Sequence, residues 1–173
     1  MPTFLPKWYS KTIYDIEISK LKSLNVKFLL SDLDNTLVGY DVAEPSDRVH
    51  NLIENLKQND IELIVVSNNN YKRLTKFCSN CNLKFLSSAK KPGAKRLLRF
   101  LNENSIDINN CAFVGDQLLT DMWCANKIGL TSILVEPLQK EESIFTFFNR
   151  KIDKVIRKRY TQEGKLNSIM KGE

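Results

Sequence analysis

The chain is 173 residues long, 42% hydrophobic and 27% charged, which fits one globular domain with its own core and no need of disulfide staples. Its net charge of +6 and pI near 9.1 favour anionic partners, whether phosphorylated substrates, nucleic acid or acidic lipid, without choosing among them. No run of about 18 apolar residues occurs, which excludes a spanning helix, and the opening MPTFLPKWYS lacks the apolar centre of a signal peptide, which predicts a cytoplasmic protein.

Short apolar runs alternate with stretches of helical period. Residues 26–30 read as a buried strand that ends at Asp32. Pro45 and Ser46 then open a helix, with Ser46 as its N-cap; Val49, Leu52, Ile53 and Leu56 recur on one face. Residues 61–66 are almost wholly apolar, as in a parallel strand covered on both sides. A helix is predicted over 71–78, a short strand over 84–86, and a third helix from Pro92 with Ala94, Leu97, Leu98 and Leu101 inward. A fourth strand at 112–114 precedes a helix through Met122 and Ile128, which Gly129 stops. A fifth strand covers 132–135. This order predicts an α/β, Rossmann-like three-layer sandwich with a mostly parallel sheet, whose ligands bind beyond the carboxyl ends of the strands.

Polar clusters sit at those ends. Asp32-Leu33-Asp34-Asn35-Thr36 follows the first strand and Ser67-Asn68-Asn69 the second; Lys90-Lys91-Pro92 precedes the third helix, and Gly115-Asp116 through Asp121 follows the fourth strand. Each alone reads as a turn or a helix cap; together, in order, they form a candidate site. The single histidine, His50, excludes histidine-nucleophile, Ser-His-Asp and His-rich metal hydrolases, and no cysteine has arginine six positions later. Hydrolytic chemistry must therefore run on carboxylates. Asp32 can attack phosphorus, Asp34 can protonate the leaving alkoxide and then deprotonate water, Ser67, with Asn68 and adjacent amides, can hold phosphoryl oxygens, and Lys91 can neutralise them. Asp32, Asp116 and Asp121 crowd like charges, and an oxygen-only donor set with open positions favours Mg²⁺. Cys78 and Cys81 form a CxxC at the end of a predicted helix, and with Cys111 and Cys124 they read as plain thiols rather than a redox or zinc motif.

These motifs resemble those of the haloacid dehalogenase-like phosphatases. Asp32 to Leu37 is similar to their first motif, Ser67 to the second, Lys91 to the third, and Asp116 with Asp121 to the fourth. Within that superfamily the chain looks most like subfamily IIIA of the YqeG type, related to mitochondrial phosphatidylglycerophosphatases, and the likeness extends to Phe148-Asn149-Arg150. Residues 122–126 depart from the small, Gly-rich stretch of that subfamily. The resemblance implies Asp32 as nucleophile and Asp34 as acid/base. It implies Mg²⁺ on the Asp32 and Asp116 carboxylates and the Asp34 carbonyl, with Asp121 supporting that shell. It also selects Lys91 over Lys90, because the family lysine directly precedes the proline.

The spacings from Asp32 to Ser67 and from Ser67 to Lys91 leave no room for the cap domain that many relatives insert, so the whole chain, 1–173, is expected to be one domain with a core near 24–138 and flanking segments 1–23 and 139–173. An open site suits a large phosphorylated substrate, a lipid head group above all, or an oligomer that lends a lid. The terminal segments mix Phe4, Leu5, Trp8, Tyr9, Ile13 and Tyr14 with Lys7 and Lys11, and Ile152, Val155 and Ile156 with Lys151, Lys154, Arg157, Lys158 and Arg159. They either pack on the core or rest on an anionic membrane. The resulting expectation is a phosphomonoesterase, with phosphatidylglycerophosphate as its substrate. The alternatives are a nucleic-acid end or phosphoprotein phosphatase, or a non-catalytic binding module in a ribosomal or membrane assembly.

Overall fold

Six short strands form one parallel sheet in the computed structural model, which describes residues 3–139 and 147–166; the side chains of 147–150, and so those of Phe148, Asn149 and Arg150, lie outside the described set. The strands are β1 (Trp8–Tyr9), β2 (Phe28–Ser31), β3 (Glu62–Val66), β4 (Lys84–Leu86), β5 (Cys111–Gly115) and β6 (Thr131–Leu134), in the order β1-β6-β5-β2-β3-β4. Every neighbouring pair is parallel. From β2 the chain winds one way through β3 and β4, then returns to the other side of β2 for β5 and β6. The switch point therefore lies between β2 and β5, where ligands bind in open α/β sheets.

Strand side chains alternate between two cores, as the pleat requires. Leu29, Leu63, Val65, Ala112 and Val114 face one side. There they meet Leu21 of α1 (Ile18–Ser23), Val49 and Leu56 of α2 (Asp47–Gln58), and Leu74 and Phe77 of α3 (Tyr71–Ser79). Leu30, Ile64, Val66 and Phe113 face the other side. They pack on Leu97 and Leu101 of α4 (Lys95–Glu103) and on Cys124 and Ala125 of α5 (Trp123–Lys127). The result is a three-layer α/β sandwich, as the sequence pattern predicts. A smaller cluster joins Leu118, Met122 and Leu134 to Ile156 and Tyr160 of α6 (Phe147–Gln162) and to Leu166. Among the described residues the stretch from β2 to β3 holds only α2 as regular structure, and that from β3 to β4 only α3.

Ser46 occupies the N-cap position of α2 as expected, without a cap bond from its hydroxyl. Two local expectations need correction. The helix expected from Pro92 starts at Lys95; the Lys91–Pro92 peptide is cis, and Gly93 N–H donates back to the Lys90 carbonyl at 2.8 Å in a turn that precedes the helix. The helix expected through Met122 opens as a π-helical turn, Leu118–Met122, before α5. Gly129, at φ +81°, follows α5 as predicted, in the left-handed region that glycine enters at least cost.

Strand β1 gave no sequence signal, since two residues cannot show a period. It lies on the edge beside β6, with Lys7 N–H donating to Ser132 O and Ser10 N–H to Leu134 O, both at 3.0 Å. The aromatic N-terminal segment is thereby turned inward. Ile13 is buried in the core, Lys20 Nζ lies 3.6 Å from the Trp8 ring centroid, and the Phe4 ring packs against that of Trp123 with centroids 4.8 Å apart and planes tilted by 49°.

The four cysteines are free thiols. Burial pushes Cys78 and Cys111 up to about 12 and Cys124 to about 11, so they are neutral at ordinary pH. Cys81 Sγ donates to the Phe77 carbonyl at 3.6 Å, at the end of α3. Among the described residues no helix is long and apolar enough to cross a membrane.

Candidate active site

Asp32 directly follows β2, and its N–H donates to the Val114 carbonyl at 3.0 Å, tying the strand end to β5. The chain then turns sharply. Leu37 N–H and Val38 N–H both donate to Leu33 O at 3.0 Å, and Leu33 and Leu37 are buried. These two leucines anchor the loop in the core and leave Asp32 and Asp34 at the sheet edge.

Lys91 reaches Asp32 from the far side. Its ammonium donates to Asp32 Oδ1 at 2.7 Å, to Asp121 Oδ1 at 2.8 Å and to the Val66 carbonyl at 2.9 Å. An ammonium has three protons, so all three are engaged. The Lys91 backbone is fixed equally firmly: its N–H donates to Asn68 Oδ1 at 2.7 Å, and Asn68 Nδ2 donates to its carbonyl at 2.9 Å. Asn68, expected as a phosphate ligand, uses its side-chain oxygen and one Nδ2 proton to align Lys91. Lys90, the neighbouring candidate, is exposed at φ +58° and its carbonyl serves the turn.

Carboxylate oxygens of Asp32, Asp116 and Asp121 lie within 4.8 Å of one another. Thr36 Oγ1 donates to Asp116 Oδ1 at 3.4 Å, and Gln117 N–H donates to Asp121 Oδ2 at 3.1 Å. Three buried carboxylates thus face one ammonium. Burial pushes the Asp32 carboxyl up, Asp121 and Asp116 push it further, and Lys91 opposes them; the net rise is to about 8. For Lys91, burial alone would lower the ammonium's pKa, but Asp121 and Asp32 more than offset this and the net shift is upward. The residual negative charge and the hard oxygen donors fit a divalent cation. Asp121, with one oxygen on Lys91 and the other on an amide, stands behind Asp32 and Asp116 in that donor set.

Asp34 is half-buried and aims its carboxylate elsewhere. Arg73 Nη2 pairs with Oδ1 at 3.0 Å, and Asn69 Nδ2 donates to Oδ2. Burial raises its pKa, with Arg73 and Asn69 opposing the rise. Ser67 Oγ accepts from Asn69 N–H at 3.1 Å, which leaves the hydroxyl proton able to donate. Sequence reasoning assigned no role to Arg73, Asn69, Thr36 or Gln117. Thr36, Asn69 and Gln117 lie within the polar clusters at the strand ends, whereas Arg73, in the first turn of α3, lies outside them.

Gly115 allows the close approach. A Cβ there would overlap the Asp121 Cβ and carboxyl carbon. Gly115→Ala is expected to cost about 1–3 kcal/mol of stability through overpacking, read by urea denaturation. It is also expected to lower turnover about 10²-fold by displacing Asp121.

A family model described as mitochondrial PGP phosphatase matches residues 2–139. The chain belongs to that family. It is a phosphatase of the haloacid dehalogenase-like type, and it resembles the probable phosphatase YqeG of Bacillus subtilis (strain 168), with 37% identity over 153 residues covering 88% of this chain and 89% of that protein. Solved structures share the fold. An uncharacterised protein from Listeria monocytogenes serotype 4b aligns with a TM-score of 0.55 at 16% identity, over 68% of this chain and 85% of that one. The cobalt-bound deoxy-D-mannose-octulosonate 8-phosphate phosphatase (YrbI) from Haemophilus influenzae aligns with a TM-score of 0.52 at 16% identity, over 66% and 70%.

Proposed function

We propose that this family member hydrolyses a phosphomonoester through an aspartyl-phosphate formed on Asp32, with Asp34 as acid and base and Mg²⁺ as cofactor. One observation carries the reading: Asp32 stands at the switch point between β2 and β5, hydrogen-bonded to Lys91 and within reach of Asp116 and Asp121. Lys91 holds Oδ1 of Asp32, which leaves Oδ2 to attack. Attack forms the bond from Asp32 to phosphorus and breaks the ester bond, and Asp34 gives its proton to the departing alkoxide. Water then attacks the phosphoryl group, Asp34 takes the proton, and phosphate leaves with Asp32 restored.

The Asp32 carboxylate loses its charge when it bonds to phosphorus. The Lys91 N–H that Asp32 Oδ1 had accepted is then free to donate a hydrogen bond to a phosphoryl oxygen, as the Ser67 hydroxyl also does, and Lys91 stays an ammonium throughout. Mg²⁺ would be held by the Asp32 and Asp116 carboxylates and the Asp34 carbonyl, with Asp121 behind them, and when bound it offsets the charge of the carboxylates and the phosphate. The cobalt bound in the H. influenzae phosphatase and the acidic donor set here both support a divalent cation.

The proposed substrate is a phosphatidylglycerophosphate head group, by analogy with the mitochondrial PGP phosphatases of the family. The uncovered sheet edge supports a bulky substrate. α6 supports a peripheral contact with an anionic membrane, because Val155 is 69% exposed beside the exposed Lys158 and Arg159. Phosphate release should be compared across vesicles carrying phosphatidylglycerophosphate, a 5′-phosphorylated oligonucleotide and a phosphopeptide, with Mg²⁺ and with EDTA. The expected result is release that needs Mg²⁺, stops with EDTA and is fastest from the lipid. Fastest release from the oligonucleotide or the peptide would overturn the substrate assignment, and release unaffected by EDTA would overturn the cofactor.

A further inference from the structure

The turn that carries Asp116 and Asp121 is gripped from outside by α6. The opening N–H groups of a helical turn have no acceptor within it. Here those of Leu118 and Leu119 both donate to Asp153 Oδ1, at 2.5 and 3.1 Å. The other oxygen, Oδ2, accepts from Arg157 Nε at 2.7 Å, one helical turn further on. Arg157 Nη2 in turn donates to the backbone carbonyl of Asp116 at 2.7 Å. The ring closes on itself: the Asp116 carbonyl, Arg157, Asp153 and the amides of Leu118 and Leu119, with Gln117 bracketed between. Asp153 is 2% exposed, in a helix whose outer face carries the cations Lys151, Lys154, Lys158 and Arg159.

We propose that Asp153 and Arg157 are positioning residues that hold the Asp116–Asp121 turn ready to receive the cation, a role that rests on the metal reading given above. Asp32, Asp116 and Asp121 repel one another, and with no cation bound that repulsion pushes the turn away from β2. Lys91 opposes it at the far end of the turn, where it ties Asp121 to Asp32; a like restraint through the Asp116 carboxylate would occupy a cation donor. The α6 clamp restrains it through its backbone instead, bonding the carbonyl at 116 and the amides at 118 and 119. Folding rather than cation binding then bears the cost of bringing the carboxylates together. Loss of the clamp weakens cation binding and leaves chemistry at saturating cation largely intact. Partners that orient metal ligands from outside typically contribute about 10–100-fold in metal affinity.

The test uses the full chain, with Mn²⁺ as the probe in a spin-resonance titration, beside kcat and the KM for Mg²⁺ on an aryl phosphate. Asp153→Asn keeps an oxygen for the two amides but turns an NH₂ group toward Arg157 Nε, so it breaks the same link as Arg157→Met. Each variant is expected to raise the Mn²⁺ Kd and the KM for Mg²⁺ by about tenfold or more, with kcat at saturating Mg²⁺ retained within a few-fold. The double variant should be no worse than the weaker-binding single. Should Arg157→Met not fold, Arg157→Lys replaces it, since an ammonium cannot span both Asp153 and the Asp116 carbonyl. An unchanged Mn²⁺ Kd in folded variants of a Mn²⁺-binding wild type would overturn the clamp alone. A wild type that releases phosphate but binds no Mn²⁺ would overturn the metal reading and the clamp with it.

Discussion

Asp32→Asn is expected to leave a folded protein whose turnover on an aryl phosphate falls roughly 10⁴- to 10⁶-fold, the scale of losing an enzyme's nucleophile. The amide nitrogen cannot attack phosphorus, yet the amide oxygen still accepts from Lys91. Stability should move the other way. A carboxyl whose folded-state pKa is raised, here from 3.8 to about 8, destabilises the folded state once the unfolded group has ionised. That cost begins as pH rises through about 4 and is complete above about 8. In EDTA at neutral pH the Asn variant should therefore melt at the same temperature as the parent or higher, and any gain should vanish at pH 4 and below. Thermal melts across that range, beside a turnover assay, check both halves.

Lys91→Met should damage stability and activity together. The methionine is close in shape, but it leaves three buried carboxylates without the ammonium that bonds Asp32 and Asp121 and releases the Val66 carbonyl it had satisfied. Removing one partner of a buried ion pair typically costs about 3–5 kcal/mol, and this loss is expected in EDTA. With saturating Mg²⁺ the loss should shrink, because a cation offsets the same charge. Turnover should fall about 10²- to 10³-fold for want of a donor to the phosphoryl oxygens. Urea denaturation with and without Mg²⁺ separates the two contributions. An equal loss in both media would mean that the cation and Lys91 do not share those carboxylates.

What the sequence made legible follows from how local each signal was. Strands β2 to β6 were read from their apolar positions and polar boundaries, and Asp32, Ser67 and Asp116 follow their strands directly, so the candidate site could be placed at one sheet edge from the order of the polar clusters. β1 escaped because Trp8 and Tyr9 owe their strand conformation to pairing with Ile133 and Leu134, more than 120 residues away in the chain. Pro92 resembled a helix start because proline suits the first turn, but it closes the turn that delivers Lys91 to Asp32. Asn68 looked like a phosphate ligand because it adjoins Ser67; its partner proves to be the backbone of Lys91, 23 residues on. Arg73, Asp153 and Arg157 were silent for the same reason. Their partners, Asp34, Leu118 and Asp116, lie 39, 35 and 41 residues away, and no periodicity within a helix reports what its polar face will meet.

The most direct measurement is an acid quench during steady turnover, followed by peptide mass spectrometry. A nucleophilic carboxylate at the end of β2 requires a phosphoryl group on the peptide carrying Asp32, absent from Asp32→Asn. Turnover that continues with no such adduct, or with the phosphoryl group on another residue, would contradict it.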